Sequence, residues 1–107
     1  MESERRQCKR IEGAVCAWLS FKKDGAAYGT LTVDLGANGA QFSSLRQVAL
    51  SEKVSLNLQL PSFSIACEGN VCWVNPMPNG LVNFGINFTE LSSTDRSNLE
   101  QYIEKIR

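Results

Sequence analysis

Two short segments carry the side chains best suited to chemistry. The first is Arg5-Arg6-Gln7-Cys8-Lys9-Arg10, with four cations in six residues. The second is Asp34-Leu35-Gly36-Ala37-Asn38-Gly39. A guanidinium grips a phosphate through paired N–H bonds. The same fork meets the O6 and N7 edge of guanine. The Asp34 carboxylate can accept hydrogen bonds from N1 and N2 of a guanine, and Gly36 and Gly39 let the backbone approach a flat base closely. A cyclic dinucleotide presents phosphates and guanine edges close together. Each segment also has a plainer reading. An arginine cluster alone is more often a solvated arm, and Asp and Asn-Gly are hairpin-turn residues in their own right.

Other chemistries lack their parts. The 107 residues include no histidine, which removes the usual activator of a nucleophile and the usual general base. Cys8, among cations, is the one candidate nucleophile and has no evident base beside it. The chain therefore reads as a binding protein and not as an enzyme. The four cysteines, Cys8, Cys16, Cys67 and Cys72, form no CxxC pair, so no zinc site is expected. They read as reduced thiols of a cytoplasmic protein. A net charge of zero and few aromatics for base stacking argue against a nucleic-acid partner. The N-terminus is charged, unlike a signal peptide. No apolar run approaches the roughly 18–20 residues of a membrane span, so no membrane insertion is expected.

The elements that must position these residues can be read from periodicity. The length fits one domain with its own core. Residues 1–10 read as an exposed, flexible arm, and residues 11–107 as the folded body. Val54, Leu56, Leu58 and Leu60 alternate with Ser55, Asn57 and Gln59, the pattern of a half-buried strand, and Pro61 ends it. Further strands are expected at 14–21, 27–35, from 40 to 43, at 64–74 with a bulge at Gly69, and at 81–88. Asn38-Gly39 is a tight-turn signal. Lys22 and Lys23 belong to a solvated hairpin tip. Phe42, Phe84 and Phe88 are core candidates, and Trp73, inside a strand, reads as core in preference to a stacking platform. The period then changes: Leu99, Tyr102, Ile103 and Ile106 share one helix face. Ser92 is the N-cap, with Asp95 at the third helical position. The fold class is all-β: five to seven short antiparallel strands closed into a barrel, with one helix at the C-terminal end. Its apolar stripe must lie on the barrel or on a partner.

The arginine segment, the Asp34–Gly39 segment and three later strands resemble the PilZ domain family. Arg6-Gln7-Cys8-Lys9-Arg10 is similar to the RxxxR motif. Asp34-Leu35-Gly36-Ala37-Asn38-Gly39 is similar to the (D/N)xSxxG motif at two of its three fixed positions. Val54 to Pro61, Gly69-Asn70-Val71-Cys72-Trp73 and Phe84-Gly85-Ile86-Asn87-Phe88 resemble the family's later strands in order. The likeness spans about residues 5–106. It implies a six- to seven-stranded antiparallel PilZ-type β-barrel with a C-terminal helix. It also implies a receptor for cyclic di-GMP, a bacterial second messenger. The implied ligand contacts are Arg5, Arg6, Arg10, Asp34, Gly36 and Gly39, with no metal and no cofactor. The arm would fold over the ligand and change the surface offered to a protein partner in motility, adhesion or exopolysaccharide machinery. Gly36 departs from the family, whose serine there is expected to bond the ligand. The alternative is an interaction adaptor with weak or no cyclic di-GMP binding.

Overall fold

The computed structural model describes residues 10–12 and 15–106. Arg5, Arg6 and Cys8 lie outside the described residues. Among the described residues, seven strands precede one helix: β1 Arg10–Glu12, β2 Cys16–Phe21, β3 Ala27–Gly36, β4 Gly39–Ser44, β5 Lys53–Gln59, β6 Ser64–Pro76, β7 Val82–Glu90 and α1 Ser93–Ile106. Neighbours run antiparallel in the order β1-β3-β2-β5-β6-β7-β4, and β4 pairs back onto β3. That last pairing closes six strands, β2 to β7, into a barrel. The closure removes the unpaired edges that an open sheet would expose.

β1 stands outside the ring. It pairs with residues 34–36 of β3, beyond residues 27–31, where β2 pairs. Val15 joins the two stretches. Its carbonyl accepts from the Thr32 amide at 2.9 Å, and its own amide donates to Thr32 Oγ1 at 3.0 Å. Thr32 is thus buried with its hydroxyl satisfied, as a buried polar group requires.

The alternation expected for β5 is seen: Val54, Leu56 and Leu58 point inward. Phe21, Phe42 and Phe84 fill the centre of the barrel, each fully buried. The Phe42 and Phe84 rings stack at 5.8 Å, and Phe21 meets Phe84 edge-on at 6.3 Å, geometries that suit the ring quadrupoles. β6 runs past the expected residue 74 and ends on Pro76, a strand end being where proline is tolerated.

The helix lays its apolar stripe on the barrel. Ser92 caps it: its Oγ accepts from the Asp95 amide at 3.1 Å. Leu99 and Ile103 are buried in the same apolar cluster as Leu35 of β3. Lys22 and Lys23 are exposed in the turn after β2, as expected of a solvated tip, and the Lys22 Nζ pairs with Glu68 at 3.0 Å. Around that hairpin, Arg46 lies 4.0 Å over the Phe21 ring and 2.7 Å from Asp24.

Candidate functional site

The β1–β3 register brings the two chemical segments together. Arg10 is the Cα partner of Gly36, Ile11 of Leu35 and Glu12 of Asp34. The last residue of the arginine segment is therefore already in the sheet, beside the glycine-containing segment. Of the other residues expected in the site, Arg5 and Arg6 lie outside the described residues, and Asp34, Gly36 and Gly39 fall on β3 and β4.

A bulge aims Asp34. Thr32 pairs with Phe42 and Asp34 with Gln41, so Val33 is an extra residue on β3. Strict alternation from buried Thr32 would send Asp34 inward and Leu35 outward. The extra residue reverses the phase. Leu35 becomes fully buried, and Asp34 reaches the outer surface, half-buried.

Gly39 serves a different purpose from the one its sequence suggests. Asn38-Gly39 reads as a hairpin turn of left-handed residues, yet neither Asn38 nor Gly39 has a positive φ. The turn is made by Ala37 and Asn38, and Gly39 is the first residue of β4. A Cβ on Gly39 would overlap the Ile86 carbonyl oxygen and lie 3.4 Å from Asn87 Cα. Glycine is needed there because β4 and β7 come too close for any side chain.

A second bulge corrects the expectation for Trp73. Val71 pairs with Ile86 and Trp73 with Gly85, which leaves Cys72 as the extra residue. Cys72 and Trp73 both face outward. Trp73 is 39% exposed, so it is not core. Its indole lies on Gly85, where a Cβ would come within 2.6 Å of Cε2 and 2.8 Å of Cδ1. The bulge foreseen at Gly69 does occur, but its extra residue is Thr89, on the partner strand.

The two bulges deliver Asp34 and Trp73 to one cleft of about 290 Å³, lined also by Asn38, Gly39, Gln41 and Asn87. It offers a carboxylate, three carboxamides, an indole face and a glycine backbone. Carboxylate and amides can read the edge of a base, and an indole can stack on its face. Arg96 of α1 anchors the rim. Its Nη1 donates to the Ala37 carbonyl at 3.1 Å and to Asn38 Oδ1 at 2.9 Å. A larger cleft of about 500 Å³ opens beside Trp18. The charged side chains lining it are Glu68 and Glu90, which repel a phosphate. Position favours the smaller cleft: Asp34 in its lining belongs to the stretch of β3 that pairs with β1, the strand that begins at Arg10.

Sequence reasoning did not single out Gln41, Asn87 or Arg96. The first two carry no signal of their own. Arg96 does: it precedes Leu99 by three residues and Ile103 by seven, which puts an arginine on the buried face of the helix.

A family model described as PilZ domain matches residues 4–105. No curated protein sequence matches the chain. Among solved structures, the Bacillus subtilis inhibitor of motility MotI/DgrA superposes with a TM-score of 0.83 at 19% identity, over 95% of this chain and 51% of that one. The PilZ domain of YcgR from Escherichia coli, solved with c-di-GMP, gives 0.72 at 12% identity, over 94% and 90%. The MrkH–c-di-GMP complex from K. pneumonia gives 0.78 at 15% identity, over 95% and 52%. The chain spans about half the length of MotI/DgrA and of MrkH. At these identities the likeness is one of fold.

Proposed function

Since the chain belongs to the PilZ domain family, we propose that it is a receptor module for cyclic di-GMP, with no chemistry of its own. Arg5, Arg6 and Arg10 grip the phosphates and the O6 and N7 edges of the guanines. Asp34 accepts from N1 and N2 of a guanine, Gly39 leaves room for the base, and Trp73 offers a face for stacking. The observation that carries this reading is the β1–β3 register, with Arg10 beside Gly36 and Asp34 raised to the surface by the Val33 bulge. The c-di-GMP named for the YcgR and MrkH structures supports the choice of ligand.

Ligand binding draws the residues before β1 over the cleft and changes the surface seen by a partner. A partner in motility, adhesion or exopolysaccharide machinery fits such a switch, and the motility inhibitor among the structural relatives supports the first of these. Gly36 removes one neutral hydrogen bond, worth roughly 0.5–1.5 kcal/mol net. Affinity then falls about two- to tenfold, which the arginines and Asp34 can absorb.

Calorimetric titration with cyclic di-GMP tests the reading. Wild-type protein should release heat at submillimolar ligand, and Arg10→Ala should bind roughly ten- to hundredfold more weakly, the worth of a charged hydrogen bond. No heat from the wild type overturns the proposal. The second reading, an adaptor without ligand, rests on Gly36. It predicts that Gly36→Ser creates binding where the wild type has none.

A further inference from the structure

We propose that Arg96 is a positioning residue for this site, holding the turn at Ala37 and Asn38 in the shape the ligand needs. The inference rests on the cyclic di-GMP reading above. The turn is weakly constrained by its own sequence. Glycines flank it at 36 and 39, and glycine loses the most backbone freedom when ordered. Gly36 also lacks the hydroxyl that could bond within the loop.

Arg96 supplies a restraint from outside. One nitrogen, Nη1, donates both to the Ala37 carbonyl and to Asn38 Oδ1, at 3.1 and 2.9 Å. A guanidinium only donates, so the Asn38 oxygen must face α1 and the N–H donors of its amide are turned away from it. Asn38 lines the cleft, so the restraint acts on a residue of the site itself. The Asn38 carbonyl accepts from the Phe88 amide at 2.9 Å, which ties the turn to β7 as well.

Arg96 is itself well placed to hold something else still. Its amide donates to the Ser92 carbonyl at 2.9 Å, in the capped first turn of α1. Leu99 and Ile103, on the same helix face, are 0% and 2% exposed. The guanidinium thus projects from an element seated in the core, and order in the turn is borrowed from the barrel.

The test combines calorimetry with hydrogen exchange on the intact chain. Arg96→Ala should weaken cyclic di-GMP binding about three- to thirtyfold, the range for losing one to two surface-accessible hydrogen bonds. It should also speed exchange of the Phe88 amide, while the midpoint of global unfolding moves little. Arg96→Lys, which keeps a donor on that face, should recover part of both losses. Unchanged affinity overturns the inference, whether or not exchange changes. A fall in affinity with an equal fall in global stability, and no local change at Phe88, also overturns it, because the role is then merely structural. If the wild type binds no cyclic di-GMP, the receptor reading fails separately. Exchange at Phe88 then decides whether Arg96 holds the turn: faster exchange in Arg96→Ala upholds that restraint, and unchanged exchange rejects it.

Discussion

Replacing Gly39 by alanine separates two physical reasons for a glycine in the second motif. The added Cβ would overlap the Ile86 carbonyl oxygen. Carbon and carbonyl oxygen approach no closer than about 3.3 Å, so β4 and β7 must part by roughly 1 Å. They pair at this point through Gly39 and Asn87, and a backbone oxygen held in a strand cannot rotate away. Overpacking costs about 1–3 kcal/mol, and an unyielding neighbour puts Gly39→Ala near the top of that range. For a domain of about 100 residues this lowers Tm by roughly 10–20 °C. Gly85→Ala meets an indole that is 39% exposed and can swing outward, so about 1 kcal/mol is expected. Urea unfolding monitored by circular dichroism measures both. Gly39→Asn sharpens the comparison. If the position needed a left-handed turn residue, asparagine would be well tolerated; if close approach is the reason, asparagine is at least as costly as alanine. Gly39→Ala within about 0.5 kcal/mol of wild type, the spread of neutral surface substitutions, or cheaper than Gly85→Ala, would refute the packing argument.

The same structure sets three further outcomes. Gly36→Ser should tighten cyclic di-GMP binding about two- to tenfold by calorimetry, the worth of one neutral hydrogen bond; no change would mean that no ligand atom lies within its reach. Burial, then the charges of Glu68 and Asp95, push the Cys67 thiol up to about 12. At pH 8, mass-spectrometric mapping should therefore find Cys16 and Cys72, both exposed, labelled by a thiol reagent before Cys67; equal labelling would contradict this. The Lys22 hydrogen bond, helped by Ser55 and opposed by desolvation, holds Glu68 below its ordinary value of 4.5. The unfolded chain takes up that proton first, so this stabilisation is present above about pH 4.5 and is lost as pH falls through the lower folded pKa. Lys22→Met should flatten the acid limb of the stability curve between pH 5 and 3, and an unaltered limb would show the pair to be inert.

The strands and the helix were legible because their signals are local. The alternation in β5 and the Ser92 cap with its Leu99 and Ile103 stripe state their geometry directly in the residues. The candidate site was half legible. The motif order named Asp34 and Gly39, but the bulges that aim the site were hidden. Val33 and Cys72 are β-compatible residues that look like the next step of a strand, and only cross-strand pairing shows them to be supernumerary. That is why Trp73 reads as core: counting by two from Val71 points it inward, and the extra Cys72 turns it out. Gly39 misleads for a related reason, since the requirement comes from β7, far along the chain. Arg96 was readable from its helix face alone, but its partners in the turn were not.

Amide chemical-shift mapping during titration with cyclic di-GMP tests the central claim most directly. Shifts are expected to concentrate in residues 34–41, 72–73 and 85–87, where the turn and Trp73 line one cleft, and in residues 10–12, which pair with β3 beside it. Shifts centred instead on the groove beside Trp18, or no shifts at submillimolar ligand, would contradict it.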